Sequence, residues 1–464
     1  MKKKFYYRGV VEGFYGREWT MEERKNIIEY MGEHDYNLYI YAAKADKLHR
    51  DEWKVFYDDA FLKDFKKLID TGKKSNVEVS IAISPGLSLI HSNEEDLDIL
   101  IKKFKQFSDL GVNTLCLFLD DIPWDLQHEE DIQKYDCLAQ AQADFSNKVF
   151  EKLSNFVKDL HFILCPTEYF GKPHYSYHDI LGNNLNKNID IMWTGPKVCS
   201  KIIPDEDAIE IGRSFKRPVI YWDNYPVNDS MMVPELHMAE YIGRSQNLYK
   251  YSKGIVINPM NQANASKIVL GAISEYLLNP EDYNSKDALL KSLKEYNSEI
   301  VEEFYYFIQC NSYSPLTLET SKVALNILEK FETLIKNKKR NEAKIFLKDT
   351  GNNILKYYDI LNKKIDPKLK EEIKRWLEEF KCYGTLMIQI SDLINTYEII
   401  FDENAPLTDI EKVKKENKKM EDLLKKFMEF ETSIFSEKFV NLAWKHLKIS
   451  KGLIRSNNII NQQN

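Results

Sequence analysis

Eight times in succession, over roughly its first 280 residues, the chain passes from a short apolar run into a longer stretch with helical spacing, a length that suits a single α/β barrel. The apolar runs are residues 8–12, 37–42, 78–84, 114–119, 162–166, 189–193, 219–222 and 254–257. Runs this short, closed by turn-forming residues, predict buried strands of a parallel sheet. Between them lie the helix-period segments. Residues 20–33 open with Thr20-Met21-Glu22-Glu23, a capping box. The segment after Ser92-Asn93-Glu94-Glu95 opens the same way and stops at Gly111. The prediction is an α/β fold, a (β/α)8 TIM barrel over residues 1–282. An open doubly wound sheet would need fewer strands, and no GxGxxG follows the first strand to favour one.

Past residue 282 the pattern changes, and only Gly351, Gly384 and Gly452 of the 17 glycines lie there. Ala324, Leu328, Phe331 and Ile335 repeat at spacings of three and four, as do Met420, Leu423, Phe427, Phe430 and Ile434. Such stripes predict amphipathic helices, so residues 283–464 read as an all-α helical bundle. The basic run 336–340 follows one stripe directly and suits a solvated helix C-terminus.

Composition excludes several classes. A net charge of −7, from 65 basic and 72 acidic residues, offers no basic face for nucleic acid. The six cysteines, at 116, 137, 165, 199, 310 and 382, form no CxxC pair, which argues against a disulfide framework or a zinc site. Cys116 and Cys165 sit inside apolar runs and read as buried thiols. No HExxH or HxH pattern occurs among the nine histidines; His174 and His178 have i, i+4 spacing, which reads as a polar helix face, so no metal is expected. No run approaches the length of a membrane span. The basic start Met1-Lys2-Lys3-Lys4 is followed by no apolar signal core, so the expectation is a cytoplasmic chain, or a secreted one whose export signal has been removed.

Polar outliers collect at the carboxyl ends of the predicted strands. In order they are Glu12-Gly13, Lys44, Ser84-Pro85-Gly86, Asp120-Asp121, Glu168-Tyr169, Thr194-Gly195, Trp222-Asp223-Asn224 and Asn258-Pro259. In a barrel these converge on one face, where the βα loops build active sites. Asp120-Asp121 stands out, because the run Leu115-Cys116-Leu117-Phe118-Leu119 ends abruptly in two carboxylates. Asp disfavours strands, and adjacent like charges repel unless a site uses them. Glycosidic chemistry is such a use: one acid protonates the leaving oxygen and a second carboxylate handles the other charge. Taken alone, the pair could equally cap a helix or make a turn. Eight polar strand ends together favour a site.

The ordered stretches Gly9-Val10-Val11-Glu12-Gly13-Phe14-Tyr15-Gly16-Arg17, Tyr39-Ile40-Tyr41-Ala42-Ala43-Lys44, Ile83-Ser84-Pro85-Gly86-Leu87, Leu119-Asp120-Asp121-Ile122, Cys165-Pro166-Thr167-Glu168-Tyr169, Trp193-Thr194-Gly195-Pro196-Lys197-Val198, Trp222-Asp223-Asn224 and Asn258-Pro259 resemble family 84 of the glycoside hydrolases. This is the O-GlcNAcase family of β-N-acetylglucosaminidases. The resemblance implies a (β/α)8 barrel followed by helices. It implies retaining cleavage of β-linked N-acetylglucosamine without a cofactor, with the substrate's own 2-acetamido group as nucleophile. On this resemblance Asp121 looks like the general acid and then base, and Asp120 like the residue that holds the acetamido N–H. Lys44, Asn224 and Asp229 look like partners of the sugar hydroxyls, and Gly13 like a point of close backbone approach. Tyr169, Trp222 and Asn258 look like the walls around the acetamide, with Thr194 and Val198 matching more loosely. The implied partners are GlcNAc-bearing glycans or glycoproteins. In this family the helical tail is a place for homodimer contacts or for a substrate groove.

Two other readings stay open on the sequence. A double-displacement glycosidase would use Glu12 or Glu168 as catalytic carboxylate. A sugar-binding protein without catalysis would use the helices to interact. Outside a sugar site, Lys44 and Asp229 would be ordinary ion-pair members and Trp222 a core residue.

Overall fold

The computed structural model describes residues 4–173, 176–312, 321–401, 407–435 and 438–460. It forms two compact units, one of residues 1–231 and 240–292, the other of residues 232–239 and 293–464.

The first unit is a closed barrel of eight parallel strands in sequence order. They are β1 (Tyr7–Glu12), β2 (Leu38–Tyr41), β3 (Glu78–Ile83), β4 (Thr114–Phe118), β5 (His161–Cys165), β6 (Ile189–Trp193), β7 (Ile220–Asp223) and β8 (Gly254–Ile257). β1 closes the ring by pairing Gly9 with Leu38 of β2 and Tyr7 with Gly254 of β8. Every strand is buried on both faces, which explains why each reads as a continuous apolar run. The barrel interior is filled from alternate positions, among them Val11, Ile40, Cys116, Ile163, Met192 and Val256. Cys116 is fully buried, which pushes its thiol up to about 12 against the bond to Ser80.

Helix α1 (Met21–Glu33) carries the expected capping box, with Thr20 and Glu23 each satisfying the other's backbone N–H. Helix α2 is Asp59–Ser75. Helix α3 (Glu94–Ser108) starts differently from the expectation at Ser92. Its cap is Asn93, whose side chain accepts from Glu95 N at 2.7 Å and Asp96 N at 3.2 Å. No carboxylate reaches back to the cap, because Asp96 instead accepts from Ile90 N and pairs with Lys54. Val112 N–H returns to Phe107 O just past Gly111, which has a φ of +96°.

The second unit is helical. The stripe Ala324, Leu328 and Phe331 is buried on the helix Lys322–Lys336, with Ile335 half-buried, and the basic run lies at that helix's end. The stripe from Met420 is cut short. The helix Leu407–Phe427 ends at its third member; Leu424 rather than Leu423 is buried, and Phe430 and Ile434 lie beyond the helix. There the chain is held by hydrogen bonds from Thr432 to Glu379 at 2.5 Å and from Ser433 N to Pro234 O at 2.9 Å. Residues 232–239 come from the β7–β8 connection. Within this unit Val233 O accepts from Arg375 and Pro234 O from Trp376, both at 2.8 Å.

Among the described residues, no helix is long and apolar enough to cross a membrane. His174 lies outside the described residues. His178 does not sit on a polar helix face: it is fully buried, with Nε2 3.1 Å from Glu168 O.

Candidate active site

The site grows from the end of β4. Leu119 N–H still donates to Cys165 O of β5 at 2.8 Å, and the next two residues leave the sheet. Asp120 is 5% exposed, whereas Asp121 is exposed and has a φ of +55°. Asp tolerates this left-handed conformation better than most residues, through local hydrogen bonding of its short side chain. The two adjacent carboxylates thereby meet different partners.

Asp120 Oδ2 accepts from Lys44 Nζ at 2.5 Å, and the guanidinium of Arg50 is 4.0 Å away. Burial works to raise the Asp120 pKa, but the Lys44 ammonium, then Arg50 and His49, outweigh it and hold the carboxyl below its ordinary value. Asp120 is therefore a buried anion. Its other oxygen, Oδ1, is buried without a hydrogen-bond donor among the described residues. An unmatched acceptor of this kind is costly and marks a position where a donor belongs. Arg50 also donates to the carbonyls of Asp120 (3.3 Å) and Asp121 (3.0 Å), tying down the turn itself.

Asp121 is clasped by two phenols. Tyr15 Oη donates to Oδ2 at 2.6 Å and Tyr169 Oη to Oδ1 at 2.9 Å. Burial first, and then the neighbouring Asp121, push both phenols well above the ordinary tyrosine value, so they remain donors.

The neighbouring wall comes from β1, β6, β7 and β8. Asn224 Oδ1 accepts from Trp222 Nε1 and Asn258 Nδ2, both at 2.9 Å, and its own amide donates to Val198 O at 2.8 Å. Asn258 Oδ1 in turn takes Gly13 N–H at 3.3 Å. A Cβ at Gly13 would lie 2.3 Å from Trp222 Cζ2, so only glycine lets the end of β1 lie against the indole. Asp229 Oδ2 accepts Tyr15 N–H at 2.8 Å, and burial raises its pKa against that bond. Thr194 turns its hydroxyl to Lys197 O at 2.9 Å and so braces the turn that presents Val198.

Hydrogen bonds thus join the sequence-predicted residues in three sets: Lys44 with Asp120, Asp121 with Tyr169 and, through the Tyr169 carbonyl at 2.8 Å, Thr194, and Gly13 with Asn258, Asn224, Trp222 and Val198. Asp229 enters through Tyr15, which also holds Asp121. Sequence reasoning gave Tyr15 and Arg50 no role. Tyr15 lay in a quoted motif three residues past a strand end, whereas nothing in the local pattern marks Arg50. Glu12 is not placed for catalysis. It is fully buried, and its two oxygens take Arg24 Nε and Nη2 at 2.8 Å, Trp19 N at 3.1 Å and Tyr39 Oη at 2.5 Å. Among the described residues no three His, Cys, Asp or Glu side chains gather to hold a metal ion.

A closed (β/α)8 barrel with one anionic and one phenol-clasped carboxylate at the end of β4 fits the class of the glycoside hydrolases. Comparison with known proteins narrows the class. The chain belongs to the beta-N-acetylglucosaminidase family, glycoside hydrolase family 84, whose sequence model matches residues 8–309. The protein O-GlcNAcases of Mus musculus and Rattus norvegicus are each 33% identical to it over 288 residues, 61% of this chain and 31% of theirs. The chain thus spans about a third of the length of these curated relatives. Among solved structures, a mutant of the Thermobaculum terrenum O-GlcNAc hydrolase superposes with a TM-score of 0.93 at 34% identity, over 97% of this chain and 96% of that one. CpGH84B superposes with a TM-score of 0.83 at 25% identity, covering 95% of this chain and 77% of its own.

Proposed function

We propose that the chain is a retaining β-N-acetylglucosaminidase that removes terminal β-linked GlcNAc, from serine or threonine of proteins or from glycans, by way of an oxazoline. The observation that carries this reading is Asp120: an anion fixed by Lys44 through one oxygen, with the other buried and lacking a donor. The N–H of a 2-acetamido group supplies that donor. Accepting it turns the acetamide oxygen toward C1 and stabilises the charge that develops on nitrogen as the oxazoline closes. Asp121, at the exposed side, protonates the departing oxygen and then takes a proton from the water that opens the oxazoline. Tyr15 and Tyr169 hold its carboxyl in place for both steps. An intramolecular nucleophile of this kind reaches effective molarities of about 10⁵–10⁸ M, against about 10²–10⁴-fold for proton transfer, so positioning the acetamide dominates.

Asn224, Asp229 and Lys44 meet the sugar hydroxyls in this reading, and Trp222, Tyr169 and Asn258 shape the acetamide's surroundings. The names of the relatives, O-GlcNAcase and O-GlcNAc hydrolase, support the same substrate. The engagement of Glu12 with Arg24 counts against a nucleophile there. The test is turnover of 4-nitrophenyl N-acetyl-β-glucosaminide beside its glucoside. The N-acetyl compound should be cleaved and the glucoside left essentially intact; equal rates would overturn substrate assistance.

A further inference from the structure

Lys103, on α3, is fully buried, yet among the described residues no carboxylate bonds its ammonium. Nζ instead donates to three backbone carbonyls of the β2–α2 connection: Leu48 O at 2.6 Å, Trp53 O at 2.8 Å and Val55 O at 2.6 Å. All three protons are used, one per carbonyl, in the way a bound cation gathers the oxygens of a loop. A buried charge without a counter-ion is expensive, so what it organises must need it.

The connection it gathers carries Lys44, His49 and Arg50. Its other ties run to α3, where Lys54 pairs with Asp96 and Gln106 bonds the Tyr57 backbone, and to β3 and the turn after it. His49 Nδ1 lies 2.7 Å from Ala82 O, His49 O accepts Ser84 N–H at 2.9 Å, and Trp53 Nε1 donates to Ser88 Oγ at 2.8 Å. Arg50 lies within the stretch spanned by the three carbonyls, and its guanidinium reaches Ser84 Oγ and the peptide oxygens of Asp120 and Asp121. A neutral side chain at 103 would leave the buried Trp53 carbonyl and the part-buried carbonyls of Leu48 and Val55 without this donor, and so loosen the stretch on either side of Arg50.

We propose that Lys103 is a positioning residue for the acid pair: its ammonium folds residues 48–55 around itself and so sets Arg50 against the Asp120–Asp121 turn. The inference rests on the catalytic reading of that pair. The groups facing the ammonium are Asp46 and the ring of Tyr57, the latter 4.8 Å away, and both belong to the same connection. Burial brings the ammonium down to about 8 while Asp46 pulls the other way, so the tie weakens as pH rises past that value.

The test measures kcat and KM of the full chain on 4-nitrophenyl N-acetyl-β-glucosaminide between pH 6 and 10. It compares the unaltered protein with Lys103→Met, Lys103→Arg and an Asp121→Ala control on an alkyl glycoside. Lys103→Met should lower kcat about 10–100-fold with KM nearly unchanged, the scale of a small misplacement of catalytic groups. The unaltered enzyme should lose kcat above about pH 8, and Lys103→Arg, which stays charged, should hold its kcat to higher pH. Should Lys103→Met not fold, the alkaline limb of Lys103→Arg decides. An unchanged limb in Lys103→Arg, or full kcat in Lys103→Met beside an impaired Asp121→Ala, overturns the inference and leaves the catalytic reading intact. A fully active Asp121→Ala overturns both.

Discussion

Replacing Lys44 by methionine separates the charge of the Lys44–Asp120 pair from its bulk. Both side chains are almost inaccessible, at 2% and 7% exposure, and the contact is 2.5 Å, so solvent screens it little. Removing one partner of such a pair costs about 3–5 kcal/mol, mostly because the remaining charge is left buried. The pH dependence has a definite sign. In the unaltered protein the folded Asp120 pKa is depressed, so its stabilisation is present above the unfolded value of about 3.9 and is lost as pH falls through the lower folded value. In Lys44→Met, burial acts with only Arg50 and His49 to oppose it, and the folded pKa moves up. The penalty is then full at neutral pH and shrinks as the carboxyl takes up a proton. Urea unfolding followed by tryptophan fluorescence should show a midpoint about 1 M lower than the parent at pH 7, and a smaller gap near pH 4. On the proposed reading the same variant should lose kcat at pH 7, since without Lys44 nothing fixes Oδ2 and holds Oδ1 toward the acetamido N–H. Equal midpoint losses at both pH values would refute the charge argument.

Two further substitutions test the assignment of acids. Asp121→Ala should retain far more activity on aryl glycosides with good leaving groups than on alkyl glycosides, since only the latter need the proton; an equal loss on both, read from kcat/KM, would remove Asp121 as the acid. Glu12→Gln should destabilise the fold by about 3–5 kcal/mol, because Arg24 loses its buried counter-charge, while the folded fraction keeps kcat within a few-fold. A sugar trapped covalently on Glu12 of the parent enzyme, seen by mass spectrometry, would refute this.

Much of the barrel was legible because a strand buried on both faces cannot hide its composition. The strand ends moved by one residue at most, within the range by which hydrogen-bonded strands and apolar runs ordinarily differ. The acid pair was legible for the opposite reason, since carboxylates at the end of an apolar run violate the packing logic around them. Arg50 and Lys103 were not legible. Their partners are peptide carbonyls, which every residue has, and the connection from β2 to α2 has no periodicity to betray which ones converge. The cap of α3 was misplaced by one residue because Ser92 and Asn93 are both good caps, and only geometry chooses between them. Phe430 and Ile434 kept helical spacing past the helix end, where bonds from Thr432 and Ser433 to distant residues override local preference.

Residues 232–239 have a practical consequence for anyone wishing to dissect this chain. They depart from the connection that bears Asn224 and Asp229, yet their carbonyls are satisfied by Arg375, Trp376 and Ser433. Cutting the gene after codon 292 would therefore strip a stretch of barrel-derived chain of its donors and remove the rest of the unit to which its buried Leu236 and Met238 belong. A minimal catalytic fragment would have to be spliced, with that excursion shortened, rather than merely trimmed.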